Sequence, residues 1–182
     1  MSKVIVIRHG KVNHVWKKNC TSAEFDEECR IYDRAPIEPV TASVVYDVEK
    51  IYISTLDRSL QTAKTIFRER DFQVSNFINE VPLRSAFDSE KKLPLWFWNV
   101  TGRLQWLLGC PRQEEGRSDT KVRARKFIET LCAEKIDCVV VTHGFFMRVL
   151  LKEMKKFGFK IEHTQTHYRN GEYVIAERAG KE

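Results

Sequence analysis

Two stretches of the chain decide its fold class: residues 4–10 read Val-Ile-Val-Ile-Arg-His-Gly, and residues 139–144 read Val-Val-Val-Thr-His-Gly. In each, a run of β-branched residues predicts a buried strand, and the glycine after it permits a sharp turn. Ligands of open α/β sheets bind in the crevice beyond the carboxyl ends of the strands. We therefore expect Arg8, His9 and His143 to meet at one crevice.

A third segment leads toward the same crevice. Residues 52–54 have the pattern of a short strand, and residues 59–67 carry apolar side chains at helical spacing. Arg58 then lies in the first turn of that helix. A helix N-terminus offers free N–H groups and a partial positive charge, to which the arginine adds a full charge. The segment therefore predicts a site for phosphate or carboxylate.

These residue types suit chemistry on a phosphoryl group. Its negative charge must be neutralised before a nucleophile approaches, and Arg8 and Arg58 can act as two guanidinium clamps. A neutral imidazole can attack phosphorus, and surrounding cations keep it unprotonated. Of His9 and His143, one can attack while the other donates hydrogen bonds to the phosphoryl oxygens.

Composition limits the partners of the chain. Its 182 residues fit one compact domain, or a core with a modest insertion, and 42% of them are hydrophobic. Lys and Arg total 31 against 25 Asp and Glu, and the net charge of +6 weakly favours anionic ligands. Basic residues are scattered except at 121–126, which has the pattern of a solvated helix face. A nucleic-acid partner is therefore not expected.

The cysteines and the remaining histidines favour neither disulfides nor metal. The five cysteines form no Cys-x-x-Cys pair, and no signal peptide precedes the first strand, so we expect reduced thiols in a cytoplasmic protein. His163 and His167 have the spacing of a zinc-finger tail, but no cysteine pair precedes them. We expect a surface pair there, and we predict neither a metal nor a cofactor.

Strands alternate with helices along the chain, which predicts an α/β fold with three layers, α/β/α, around a mostly parallel sheet. Thr21 and Glu24 have the spacing of a capping box, and Ser118 or Asp119 can cap a later helix. Asn-Gly at 170–171 between alternating runs predicts a hairpin. Strands are expected at 3–8, 50–54, 72–78 and 137–142, and the hairpin at 160–178. Helices are expected at 22–32 and at 145–157. Two more helices are expected, one that begins at Arg58 and one that ends at about Glu134.

A helical insertion is expected at about 80–116 within a single domain spanning 1–182. Its stretch 93–109 holds three of the four tryptophans and is too short and too interrupted by polar residues to span a bilayer. The simplest interpretation is a helix packed on the main sheet. A lid over the active site, a subunit interface and a membrane-surface helix are the alternatives.

Taken together, these motifs resemble the histidine phosphatase superfamily, also called phosphoglycerate mutase-like. Arg-His-Gly at 8–10, an S-x-x-x-R-x-x-Q-T-A segment starting at Ser54, and Thr-His-Gly at 142–144 follow one another in the family's order. The resemblance implies that His9 becomes a phosphohistidine, while Arg8, Arg58, His143 and Gly144 form the phosphate pocket. Water would then release inorganic phosphate without a metal.

The family's general acid is the least clear element of the resemblance. One alignment places Ser85 where the family has a glutamate. Glu80 and Asp88 are the nearby substitutes, and Glu80 is preferred. Without a well-placed acid, esters with poor leaving groups would react slowly.

The resemblance implies a metal-independent phosphatase of the histidine acid phosphatase type. Its substrate would be a phosphorylated small molecule or a phosphoprotein. A mutase is the second candidate within the same chemistry, and a phosphate-binding relative without turnover is the third. The sequence does not indicate an oligomeric state.

Overall fold

The computed structural model describes residues 2–40, 47–68, 70–162 and 168–179. In chain order, the elements within these ranges are β1 (Ser2–Arg8), β2 (Asn19–Cys20), α1 (Ser22–Arg34), β3 (Lys50–Ile53), α2 (Asp57–Phe67), β4 (Gln73–Val74), a 3₁₀ turn (Asn76–Ile78), β5 (Leu93–Pro94), α3 (Leu95–Leu108), α4 (Arg117–Glu134), β6 (Cys138–Thr142), α5 (Gly144–Lys156), β7 (Lys160–Ile161) and β8 (Tyr173–Arg178).

The central sheet has the strand order β4-β3-β6-β1-β8-β7. The pairs β1–β6, β3–β6 and β3–β4 are parallel, and β8 runs antiparallel to β1. In the β1–β6 register, Arg8 stands opposite Thr142. The residues that follow these two strands, His9 and His143, therefore leave the sheet side by side. The mostly parallel sheet predicted from the sequence is confirmed.

Helices cover both faces of the sheet. The buried side chains of β1 point alternately to the two faces and belong to two different hydrophobic clusters. Val4 and Val6 belong to one hydrophobic cluster with side chains of α4 and α5, such as Phe127. Ile5 and Ile7 belong to a second cluster that includes side chains of α2. The three-layer α/β/α arrangement is thus as predicted.

Helix α3 reaches the core of the main sheet only at Trp106, which belongs to the cluster with Val4 and Val6, so its expected packing on the sheet is confirmed only in part. Buried Trp98 belongs to a separate cluster with Cys20 and Phe25 of α1, and its indole N–H donates to the Cys20 carbonyl at 3.0 Å. At the other end of α3, the Trp106 indole donates to Thr120 Oγ1 of α4 at 2.8 Å. Each buried indole N–H needs an acceptor, and these acceptors lie beside α1 and on α4.

Two predicted boundaries differ from the structure. The strand expected at 72–78 is limited to the short edge strand β4, because the chain turns at Ser75 into the 3₁₀ turn that buries Ile78. Helix α4 is capped by Gly116 rather than by Ser118 or Asp119. The Asp119 carboxylate lies within the first turn and accepts from the Gly116 N–H at 2.8 Å.

Other local predictions agree with the structure. Thr21 and Glu24 form the predicted capping box at α1. Strands β7 and β8 pair antiparallel, as expected of a C-terminal hairpin. His163 and His167 lie outside the described residues. No helix within the described ranges is long and apolar enough to cross a membrane.

Candidate active site

The carboxyl ends of β1 and β6 bring the two predicted histidines together. The ring centroids of His9 and His143 are 5.0 Å apart. The backbone N–H of His9 donates to the Thr142 carbonyl at 2.9 Å. The first turn of α2 places Arg58 against His143. Arg8 lies against Gly144, the first residue of α5. The predicted phosphate-pocket residues therefore form one cluster.

His9 has the properties of a neutral nucleophile. Its Nδ1 lies 2.7 Å from the Gly10 carbonyl, which can only accept, so Nδ1 carries the proton. Burial, followed by the charge of Arg58, lowers the pKa of His9 from 6.5 to about 3. The ring is therefore neutral at physiological pH, and Nε2 keeps its lone pair.

The backbone of the Arg-His-Gly turn is held by side chains that sequence reasoning did not place in the site. Thr62 Oγ1 accepts from the Gly10 N–H at 2.8 Å. Asn170 Nδ2 donates to the His9 carbonyl at 3.0 Å, and the Gly171 N–H donates to the Arg8 carbonyl at 3.0 Å. The Q-T-A motif was the sequence signal for Thr62. The Asn-Gly pair predicted only a hairpin turn.

Arg58 links the cluster to the neighbouring cleft. Its side chain is 1% exposed, Nε donates to His143 Nδ1 at 3.1 Å, and Nη1 donates to Asp33 Oδ1 at 2.8 Å. The guanidinium also lies 5.2 Å from the centre of the Tyr32 ring. A carboxylate thus occupies part of the donor set that a phosphoryl group would use.

His143 uses both ring nitrogens within the protein. Because Arg58 Nε can only donate, Nδ1 of His143 is the acceptor and the ring proton is on Nε2, 2.7 Å from Ser54 Oγ. Burial, followed by Arg58, lowers the pKa of His143 well below 6.5. The hydrogen bond that the sequence predicts from a histidine to a phosphoryl oxygen therefore requires His143 to give up one of these two partners.

Arg8 carries a buried donor that the described residues do not satisfy. Its Nη1 donates to the Tyr168 carbonyl, whereas Nε is buried and has no hydrogen-bond partner. A Cβ on Gly144 would lie 2.7 Å from Arg8 Nε and 2.8 Å from Cζ, so only glycine leaves room for this guanidinium. A buried guanidinium N–H with no acceptor favours the binding of an anion.

Glu80 lies at the start of α5, as expected of an acid near the pocket. One carboxylate oxygen accepts from the Phe146 N–H at 2.9 Å, and the other accepts from the Phe145 N–H at 3.2 Å. The Val81 N–H donates to the first oxygen at 2.9 Å. These three amides fix the orientation of the carboxylate, which lines the same cleft as Arg58.

The two other acid-site candidates lie elsewhere. Asp88 is exposed, and Arg112 lowers the pKa of its carboxyl by hydrogen bonding to it. Ser85 is buried, and its N–H and hydroxyl donate to Asp26 at 2.7 and 3.0 Å. Neither residue lines the cleft, so the geometry favours Glu80.

The cleft itself has a volume of about 870 Å³, and its walls include Tyr32, Asp33, Arg58, Glu80, Arg103 and Arg123. His9 is only 2% exposed and is not among the residues that line this cleft. The five cysteines are free thiols, and the described residues contain no cluster of three or more metal-ligating side chains.

Residues 4–182 match the family model of the histidine phosphatase superfamily (branch 1). The chain therefore belongs to this superfamily, as its motifs predicted. A comparison with curated proteins gives no match.

Several phosphatases of known structure share the fold. A candidate α-ribazole-5′-P phosphatase from Escherichia coli has a TM-score of 0.57 at 17% identity, over 84% of this chain and 79% of that one. A mycobacterial glucosyl-3-phosphoglycerate phosphatase gives 0.55 at 16% identity, over 85% and 79%. A mutant phosphoserine phosphatase from Entamoeba histolytica, in complex with phosphoserine, gives 0.51 at 20% identity, over 86% and 81%. At these identities the likeness establishes the fold.

Proposed function

We propose that the chain is a metal-independent phosphatase that hydrolyses phosphomonoesters through a phosphohistidine on His9. The observation that carries this proposal is the state of His9, a neutral ring whose Nδ1 proton is held by Gly10. Burial lowers its pKa, and so do the guanidinium groups of Arg58, which is buried, and of Arg8, whose Nε is buried. Nε2 is then the nucleophile, and its lone pair is available without prior deprotonation.

The phosphoryl group binds between Arg8 and Arg58. The unpartnered Nε of Arg8 supplies one N–H, and Arg58 supplies others once its pair with Asp33 opens. Two guanidinium groups offset the charge of the three phosphoryl oxygens, which is the task that a metal performs in other phosphatases. His143 orients Arg58 through Nδ1, and its Nε2–H donates to a phosphoryl oxygen in place of Ser54 Oγ.

In the first step, the Nε2 lone pair of His9 forms a bond to phosphorus as the ester P–O bond breaks. Glu80 is the proposed proton donor to the leaving oxygen, and the product alcohol departs. In the second step, water attacks phosphorus and the P–N bond breaks. The Glu80 carboxylate takes the proton from that water, and inorganic phosphate leaves with His9 again neutral.

The dimensions of the cleft favour a small substrate. Sites for small molecules enclose roughly 300–1,000 Å³, and this cleft has about 870 Å³. The fold relatives described above are named for α-ribazole-5′-P, glucosyl-3-phosphoglycerate and phosphoserine. We propose a phosphorylated small molecule as the substrate rather than a phosphoprotein.

The five free thiols favour a cytoplasmic location.

Hydrolysis of p-nitrophenyl phosphate in the presence of EDTA tests the proposal, with His9→Ala and Glu80→Gln compared with the wild type. This ester has a good leaving group, so it reports on the nucleophile even if the acid is lost. We expect turnover by the wild type and none by His9→Ala. A wild type that binds vanadate but does not turn over would instead identify a phosphate-binding relative without catalysis.

A further inference from the structure

The solvent face of α3 is entirely apolar. Every exposed position on this helix carries a large hydrophobic side chain, and we call these five residues the α3 ridge: Trp96 (65% exposed), Val100 (50%), Leu104 (51%), Leu107 (45%) and Leu108 (76%). Their spacing of four residues, with Leu107 alongside, forms one continuous row on the helix surface. Scattered exposed hydrophobics are ordinary, whereas a contiguous apolar row marks an interaction surface.

The other faces of α3 are occupied within the chain. Trp98, Gly102 and Trp106 are buried against the domain, and Asn99 and Arg103 face the cleft. Arg103 is the only charged residue of the helix, and its guanidinium is held over the Phe145 ring at 3.8 Å.

A helix that is apolar on almost every side is typical of a buried helix. A helix that lies in a membrane surface instead carries Lys and Arg along a polar face, and α3 has no such face. The α3 ridge therefore fits a protein surface better than a lipid surface.

The two ends of the α3 ridge differ in charge. Exposed Lys17, Lys18, Lys91 and Lys92 surround its start, because β2 pairs with β5 immediately before the helix. Lys17 and Lys92 share one carboxylate, that of Glu24, so the lysines outnumber their described acidic partner. The last turn of α3 carries no basic residue to offset the negative end of the helix dipole, and exposed Glu114 follows it.

We propose that the α3 ridge is the interface of a homodimer, in which α3 packs antiparallel against α3 of a second copy about a two-fold axis. The antiparallel arrangement places the lysine-rich start of each helix over the negative end of its partner. A row of side chains four residues apart fits between the equivalent rows of a second copy, so one surface is complementary to itself. This inference does not depend on the proposed catalytic activity.

Sedimentation equilibrium of the wild type, Leu104→Glu and Val122→Glu tests the proposal. Val122 is a matched control, because it is 48% exposed on α4 and lies outside the α3 ridge. We expect the wild type and Val122→Glu at twice the chain mass of 21.4 kDa. Leu104→Glu places an unpaired charge in the interface in each copy, so we expect dimer affinity to fall by about 100-fold or more.

A disulfide test reports the geometry. Val100 and Leu104 flank the middle of the row, so Val100 of one copy faces Leu104 of the other in an antiparallel pair. The double variant Val100→Cys/Leu104→Cys should therefore give a covalent dimer under mild oxidation. Val122→Cys and the wild type, which has five native cysteines, control for other thiols.

A monomeric wild type at high micromolar concentration overturns the proposal. So does a Leu104→Glu variant that dimerises as tightly as Val122→Glu. Binding of monomers to vesicles of phosphatidylserine, lost in Leu104→Glu, would show that the ridge contacts lipid instead.

Discussion

Gly144→Ala should impair phosphate chemistry while leaving the fold intact. The added Cβ would lie 2.7 Å from Arg8 Nε and 2.8 Å from Cζ, against ordinary contacts of 3.4–4 Å. The guanidinium must therefore move by about 1 Å, and a displacement of that size can cost roughly 100-fold in rate, or about 2.7 kcal/mol. Gly144 has no left-handed backbone conformation that would strain alanine. We expect thermal unfolding close to that of the wild type.

The assay is a double-mutant cycle on kcat/KM for p-nitrophenyl phosphate, with inhibition by vanadate as a second reading. If alanine acts through the guanidinium, Gly144→Ala should cost about 100-fold in the wild type and little in the Arg8→Ala background. Wild-type activity in Gly144→Ala, or losses that simply add in the double variant, would refute the reasoning.

Three further outcomes follow from the site. Because the folded pKa of His9 is about 3 and the unfolded value is 6.5, its contribution to stability is complete above pH 6.5. This contribution is lost toward pH 3 at about 1.4 kcal/mol per pH unit. We therefore expect the melting temperature of His9→Gln to depend less steeply on pH over this range than that of the wild type. Glu80→Gln should slow alkyl phosphates about 100-fold or more, and aryl phosphates far less; equal losses in steady-state rates would argue against a proton donor. Asp33→Asn should strengthen inhibition by inorganic phosphate about 2- to 5-fold, because a competing carboxylate leaves Arg58; unchanged or weaker inhibition would contradict this.

The sequence predicted the sheet and the proximity of His9 and His143 because both depend on local patterns. Runs of β-branched residues before His9 and His143 mark strand ends, and parallel pairing of those strands makes the two histidines neighbours. The helix that starts beside Arg58 is likewise read from apolar spacing. These features need only strand and helix periodicity and the rule that ligands bind beyond strand ends.

The sequence did not predict contacts that depend on tertiary structure. Nothing local indicates that Asn170 braces the backbone of His9, or that Asp33 of α1 pairs with Arg58. The packing of α3 against α1 and α4 depends on where the Trp98 and Trp106 indoles find acceptors. A hydrophobic pattern shows that such a helix is buried but not which surface buries it.

The most direct test of the central claim is to trap the covalent intermediate. Wild-type enzyme is mixed with p-nitrophenyl phosphate, quenched in alkali during turnover and analysed by peptide mass spectrometry. We expect one phosphoryl group on His9, stable in alkali and lost in acid, and none in His9→Ala. A phosphoryl group on another residue, or full turnover by His9→Ala, would contradict it.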